Sequence, residues 1–197
     1  EQMFYNCKSL TSINFGNNFN TNKVQEINNI FTNCNSLQSI DVPISVNYDV
    51  YFGHLKSFFE NCYSLTSVNL QNFYTSNVEY FNNMFLNCYK LTSIDLSKFF
   101  FKDNAKIVNM VRGCYSLTSL DFPNLAPIMV NCKEIFYDCP NLKFVNFSII
   151  RNSYSGNLLF NGNISENGTI IMKKSLYNSR NIDINHIPSN WNITLLD

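Results

Sequence analysis

Seven cysteines are the residues of this chain with the most distinctive chemistry. In a small secreted protein a set of cysteines indicates a disulfide framework, and pairs spaced as CxxC indicate zinc. No CxxC pair or His–Cys cluster occurs here. Six of the seven recur at nearly regular intervals: Cys7, Cys34, Cys62, Cys88, Cys114 and Cys139. The seventh, Cys132, takes the place that other repeats give to Ile27, Leu55 or Ile107.

Both cysteine positions have the pattern of a hydrophobic core. Buried free cysteine packs as a small hydrophobic side chain, so we expect free thiols at these positions. Neighbouring repeats are close enough that distance alone leaves a disulfide open, although side chains in a stacked column point the same way, which is poor geometry for a bridge.

The histidines and carboxylates do not form a recognisable catalytic pattern. His54 and His186 are far apart in the chain. No GxSxG, HExxH, P-loop or GxGxxG motif occurs, and no carboxylate pair is evident for acid–base work. We therefore predict that the chain is not an enzyme, has no catalytic residue, holds no metal and uses no cofactor.

The overall composition excludes some classes of partner. The chain has 14 basic and 14 acidic residues, a formal net charge of +0 and no lysine–arginine cluster. We therefore expect no nucleic-acid partner. No apolar run approaches the ~20 residues that span a bilayer, so we expect no membrane insertion. Asparagine is abundant, but 45% of the residues are hydrophobic, which predicts a folded chain and not a disordered one.

A repeated motif surrounds the six regularly spaced cysteines. It has the form Cys-x-x-Leu-x-x-Φ-x-Φ, where Φ is apolar, as in Cys88, Leu91, Ile94 and Leu96. The alternation after the leucine predicts a short strand that is buried on one face. A period of about 25–28 residues is typical of a solenoid, in which stacked units bury the faces that one unit cannot bury alone.

The residues before each cysteine have a different spacing. Val78, Phe81, Met84 and Phe85 fall at i, i+3, i+6 and i+7, which predicts a short helix with one buried stripe. The predicted fold is α/β: a leucine-rich-repeat solenoid of about six repeats, with a parallel sheet on one side and short helices on the other. We assign residues 1–147 to this solenoid and residues 148–197 to a C-terminal capping region, with Trp191 as a plug.

One copy of the repeat reads Met84-Phe85-Leu86-Asn87-Cys88-Tyr89-Lys90-Leu91-Thr92-Ser93-Ile94-Asp95-Leu96. It resembles the BspA-like leucine-rich repeat family, which includes surface proteins of low-GC bacteria and of protists. Matching elements recur in Phe58–Leu70 and Met110–Phe122, and the resemblance covers roughly residues 3–147. It implies surface exposure and often adhesion or cell contact, but it carries over no catalytic residues and no particular ligand. Because residues 1–7 match the middle of a repeat, we expect the chain to be an excerpt of something longer.

Small polar side chains point outward from the predicted strands. A serine is followed two residues later by Asp or Asn, which gives a polar, mildly acidic stripe: Ser39, Asp41, Ser67, Asn69, Ser93, Asp95, Ser119 and Asp121. Three residues that directly follow cysteines, Tyr63, Tyr89 and Tyr115, should stack as an aromatic ladder at one rim. Both sets are candidate binding residues for a protein or glycan partner. The alternatives are a solvated face of small side chains and tyrosines that cover a sheet edge.

Two functional hypotheses fit these observations. The first is a non-enzymatic protein-interaction or adhesion module, displayed on a cell surface or located outside the cell, that binds through the exposed strand face. The alternative is a structural or scaffold subunit within a larger assembly, which could be cytoplasmic.

Overall fold

The computed structural model describes residues 2–16, 19, 21, 27–42, 54–71, 73, 75–76, 78–102, 104–122, 128–148, 150–153, 159–178 and 187–197. Nine short strands and one helix lie in this part of the chain. In chain order they are β1 (Ser39–Asp41), β2 (Ser67–Asn69), β3 (Ala105–Lys106), β4 (Ser119–Asp121), β5 (Ile128–Asn131), β6 (Phe144–Phe147), β7 (Ile150–Ser153), β8 (Gly168–Lys173), α1 (Lys174–Tyr177) and β9 (Trp191–Leu196).

All strand pairs are parallel, and they join equivalent positions of successive repeats. β1 pairs with β2, while β4, β6, β8 and β9 form a four-stranded sheet. The register places Ile40 opposite Val68, and Val145 opposite Ile170. A third sheet consists of β3, β5 and β7. Since parallel strands stack repeat upon repeat, the fold is a parallel β-solenoid, which confirms the predicted solenoid and its parallel sheet.

The predicted row of helices is wrong. Within the described residues the only helix is α1, which has 4 residues and lies near the end of the chain. The segment before each cysteine is a series of tight turns, in which the N–H groups of Met84 and Leu86 donate to carbonyls three residues earlier. The N–H groups of Asn83, Phe85 and Asn87 donate instead to the next repeat. An α-helix does not allow this arrangement, because each of its N–H groups bonds to residue i−4.

Residues with positive φ make the series of turns possible. Asn83 and Asn87 have φ values of 58° and 61°, and other repeats have positive φ at the same two positions. Asparagine enters this left-handed region more easily than most residues because its short polar side chain bonds locally. The residues that the spacing predicts to be buried do lie inside the solenoid: Val78, Phe81, Met84 and Phe85. The 3–4-residue spacing therefore comes from consecutive turns.

Columns of like side chains fill the interior. The Phe31 and Phe59 rings stack with centroids 5.4 Å apart, and the Phe59 and Phe85 rings stack at 5.6 Å. Val111 and Phe136 continue this column and are fully buried. Burial of one large apolar side chain contributes roughly 1.5–3 kcal/mol, so the columns are the main source of stability.

The C-terminal region extends the same sheet. β8 pairs with β6 and with β9, so no break in the ladder occurs at residue 147. Trp191 begins β9, is 5% exposed, and packs against Phe160 with ring centroids 5.0 Å apart. A Cβ at Gly168 would lie 2.5 Å from the indole ring, so this close approach requires glycine. The capping role of residues 148–197 stays a prediction.

Candidate interaction surface

The eight residues of the predicted polar stripe lie on one side of the solenoid. We call the exposed side of residues 39–41, 67–69, 93–95 and 119–121 the strand face, and each of these four segments is one rung of it. Ser39 lies opposite Ser67, and Asp41 lies opposite Asn69, in the ladder between β1 and β2. All four of these side chains are exposed, while Ile40 between them is buried. The alternation therefore gives the polar outer surface that the sequence predicts.

The next two rungs continue this surface. Ser93 and Asp95 are exposed, although residues 93–95 lie outside the assigned strands. Asp121 ends β4 and is exposed, while Ser119 in the same strand is half-buried and lies opposite Phe144 of β6. The four rungs thus place all eight predicted residues on one face.

The acidic or amide residue that ends two of these rungs also has a local structural role. The backbone N–H of Ser97 donates to Oδ1 of Asp95 at 2.8 Å, and that of Gln71 donates to Oδ1 of Asn69 at 3.1 Å. These are Asx turns, which direct the chain away from the sheet. The hydrogen bonds from Ser97 stabilise the carboxylate and lower the pKa of Asp95, and the nearby charge of Lys98 adds to this effect. A local structural role therefore gives one reason for an acid or amide at these two positions.

The three predicted rim tyrosines form a continuous stack. The rings of Tyr63 and Tyr89 have centroids 4.8 Å apart and planes inclined by 8°, and the rings of Tyr89 and Tyr115 have the same geometry. Tyr115 is 43% exposed. Desolvation and the two neighbouring phenols raise the pKa of Tyr89. The stack fixes the ring positions, so the tyrosines form a preordered aromatic surface.

The cysteines form a column of hydrogen-bonded thiols. Sγ of Cys62 donates to the carbonyl of Phe31 at 3.2 Å, and Sγ of Cys88 donates to that of Phe59 at 3.2 Å. Five such bonds, from Cys34 through Cys139, each link a repeat to the one before it, so the solenoid completes about five turns between Cys7 and Cys139. All seven cysteines are free, and all except Cys7 are buried, in agreement with the predicted core thiols.

Comparison with known families identifies this arrangement. Residues 96–195 match the BspA type leucine rich repeat region, a model of 6 copies, and residues 1–122 match the family described as Mycoplasma protein of unknown function, DUF285. The chain belongs to the BspA-type leucine-rich repeat family. No curated protein and no solved structure matches it significantly. Solenoids of this kind are typically non-catalytic interaction modules.

An asparagine ladder in this BspA-type solenoid was not anticipated from the sequence. The side-chain amides of consecutive repeats bond to one another: Asn33 to Asn6 at 2.7 Å, Asn61 to Asn33 at 2.8 Å and Asn87 to Asn61 at 2.9 Å. Gly113 takes the next position, where a Cβ would lie 2.5 Å from Oδ1 of Asn87. The available signal was the asparagine that directly precedes four of the six motif cysteines.

Several other ionisable side chains of the BspA-type repeats pair with neighbours on the surface. His54 stacks on Tyr80 at 4.3 Å, and Nζ of Lys106 lies 4.2 Å from the centroid of the same ring. Arg112 forms an ion pair with Glu134 at 2.6 Å. His186 lies outside the described residues. Within the described ranges no group of three His, Cys, Asp or Glu side chains could hold a metal ion. No helix in that part of the chain has the length and apolar character needed to cross a membrane.

Proposed function

We propose that this chain is a non-enzymatic adhesion or interaction module, displayed on a cell surface, that binds a protein partner through the strand face and the adjacent tyrosine stack. The single observation that carries the proposal is the stacked ladder of Tyr63, Tyr89 and Tyr115 beside columns of small polar residues. Tyr115 is exposed, and the other two tyrosines are half-buried. Tyrosine provides rigid contact area at low entropic cost, and serine and asparagine provide adaptable hydrogen bonds; the paratopes of antibodies have the same composition.

A protein partner fits the ladder better than a glycan does. The ring planes of Tyr89 and its neighbours are nearly parallel at 8°, so the two faces of Tyr89 are covered by Tyr63 and Tyr115. A sugar ring would need an open aromatic face along the ladder. The exposed ring edges and hydroxyl groups instead suit a surface with hydrogen-bond acceptors, such as backbone carbonyls and carboxylates.

Surface display is tested with intact source cells. We expect antibodies against the chain to label intact cells, and added protease to cleave the chain without permeabilisation. A cytoplasmic protein treated in parallel controls for lysis. Protection of the chain until the cells are lysed would overturn surface display and would favour the structural-subunit alternative.

Binding through the strand face is tested with two tyrosine variants. The fluorescently labelled chain is added to intact cells, and the bound fraction is compared for wild type, Tyr115→Ala and Tyr5→Ala. Tyr115 and Tyr5 have similar exposures of 43% and 41%, but Tyr5 lies outside the ladder. We expect Tyr115→Ala to lower the affinity by about tenfold and Tyr5→Ala to leave it unchanged. Equal binding by all three proteins would contradict a role for the ladder.

One observation favours the second candidate, a structural subunit of a larger assembly. Among the described strands β9 pairs only with β8, and Ile193 and Leu196 in β9 are 38% and 39% exposed. A sheet edge with free backbone groups can pair with a strand of another chain. Cross-linking from Lys173 or Lys174, beside this edge, to another protein in intact cells would support this candidate.

A further inference from the structure

Charged residues on the strand face and just before it are separated by sign across the width of the sheet. The relevant span of each repeat runs from the motif cysteine to the Asp or Asn two residues after the outward serine position. In this span the lysines come before that outward position, and the aspartates come at the end of the span. The lysines are Lys8, Lys90 and Lys143, and the aspartates are Asp41, Asp95 and Asp121. All six side chains are exposed. Within this span the basic residues therefore lie on one side and the acidic residues on the other, with uncharged tyrosine, serine and threonine residues between them. Lys98 follows Asp95 by three residues and lies outside the span.

This separation makes the face complementary to itself. A two-fold axis parallel to the solenoid axis places the basic side of one face over the acidic side of an identical face. Such an isologous contact repeats each interaction twice. Lys90 and Asp95 belong to the same repeat, so Lys90 of each copy would face Asp95 of the other. Lys8 and Lys143 would face Asn14 and Asn146, whose amide oxygens accept hydrogen bonds. A two-fold axis perpendicular to the solenoid axis, in the plane of the interface, would bring lysine over lysine, which is unfavourable.

We propose that the partner of the strand face is the strand face of a second copy of this chain, in a two-fold symmetric contact. The inference rests on the proposed function, because it names the occupant of the same surface. If the module is displayed on cells, contacts between copies on two cells would be homotypic adhesion.

The tyrosine stack fits this contact. Tyr89 lies in the same repeat as Asp95, and Tyr115 lies in the same repeat as Asp121. Under the two-fold rotation, each hydroxyl faces the aspartate side of the other copy. Phenol hydroxyl groups donate to carboxylates, and a hydrogen bond to an ionised acceptor is stronger than one between neutral groups. Oδ1 of Asp95 accepts from Ser97 within its own chain, so the second carboxylate oxygen is the acceptor for this contact.

Charge-swap variants test the contact through self-association, measured by sedimentation velocity. In Lys90→Asp alone, and in Asp95→Lys alone, both symmetric pairs become like-charged, so we expect each variant to dimerise at least about tenfold more weakly than wild type. An equimolar mixture of the two variants restores both pairs in the heterodimer. One pair then joins the two introduced side chains with their charges exchanged, and the other joins the two unchanged side chains, Asp95 and Lys90.

We therefore expect the mixture to regain dimers. Lys56→Asp makes the same charge change as Lys90→Asp at an exposed site outside the strand face, and it should dimerise as wild type does.

A second variant separates a lost charge from a lost turn. Asp95→Asn keeps the oxygen that accepts from Ser97 and removes the charge, so it should fold normally and dimerise more weakly. A wild-type protein that stays monomeric up to a concentration on the order of 100 μM would overturn the inference. Unchanged dimers in the single variants, or a mixture that stays monomeric, would also overturn it.

These results are distinguishable from a failure of the proposed function. A monomeric wild type that still binds intact cells, and loses that binding in Tyr115→Ala, would leave the interaction module in place with a different partner. Dimers that respond to the charge swaps, together with protection of the chain inside cells, would support the homotypic contact and reject surface display.

Discussion

The side-chain amide of Asn87 donates to Oδ1 of Asn61 at 2.9 Å, and both residues have a φ of 61°. The two facts belong together. The positive φ turns the chain so that the next residue, Cys88, points into the core, and the amide then lies directly over its counterpart in the preceding repeat. Asparagine meets both requirements, which explains why it recurs directly before four of the six motif cysteines.

Substitutions at Asn87 should separate the two contributions. Asn87→Ala loses the hydrogen bond. It also places alanine in the left-handed region, where its side chain has no polar group that could form a local hydrogen bond. Asn87→Gly loses only the hydrogen bond. We expect a loss of about 1–3 kcal/mol in the free energy of unfolding for alanine and a smaller loss for glycine. Urea denaturation measures both values.

A control for these variants is Asn192→Ala, on the exposed side of β9. It should change the free energy of unfolding by no more than about 0.5 kcal/mol. If glycine and alanine at position 87 were equally destabilising, the positive φ would not be the reason for asparagine there.

The thiol column should make stability fall at alkaline pH. Burial raises the pKa of Cys34 to about 11 and that of Cys139 to about 12, from an ordinary value of 9.0. Above pH 9.0 the unfolded chain releases these protons while the folded chain keeps them, so the free energy of unfolding falls as the pH rises from 9.0 toward 12. Below pH 9.0 these two thiols have no effect on its pH dependence.

Urea midpoints at several pH values across this window measure the effect. Other groups titrate there too, so the comparison needs Cys139→Ala, which removes one thiol. We expect the variant to be less stable than wild type at neutral pH and to lose less stability as the pH rises. Parallel pH curves for the two proteins would show that Cys139 does not contribute to the alkaline loss.

Much of the solenoid could be predicted from the sequence, because its signals are local and repeated. The alternation around Ile94 predicts an outward Ser93 and Asp95, and the tyrosine after each of three cysteines predicts a stack. Each inference needs only the period and the side-chain alternation of a strand. The parallel register then follows from the stacking of equal repeats.

The turn segments could not be predicted in the same way. Residues from Val78 to Phe85 have a spacing that fits one face of a helix, yet the same spacing arises from consecutive turns. The difference depends on whether the N–H of Phe85 bonds within its own repeat or to Met110 of the next one. That choice is a long-range contact, which hydrophobic spacing does not report. The asparagines with positive φ were the local signal for turns.

Removal of the central tyrosine should weaken both the stack and the surface that it forms. Tyr89→Ala loses two ring contacts, and stacked aromatic pairs contribute about 0.5–1.5 kcal/mol each, less where they are solvent-exposed. Tyr89→Phe keeps the stack and removes the hydroxyl. We expect the free energy of unfolding to fall by about 1–2 kcal/mol for alanine and to change little for phenylalanine. Thermal or urea denaturation checks this order, and an alanine variant as stable as wild type would show that the stack adds no stability.

The phenylalanine column offers a test of packing that the chain itself suggests. Phe85 is fully buried between Phe59 and the position that Val111 occupies in the next repeat. Phe85→Ala should lower the free energy of unfolding by about 3–5 kcal/mol, because a cavity remains in the column. Phe85→Val should cost less, since valine fills part of that volume and is already used in the same column. Phe100→Ala, at a residue that is 45% exposed, is the control and should cost far less. Equal losses of stability for Phe85→Ala and Phe85→Val would mean that the column relaxes around a missing ring. The free energy of unfolding would then not depend on how much of the volume the side chain at position 85 fills.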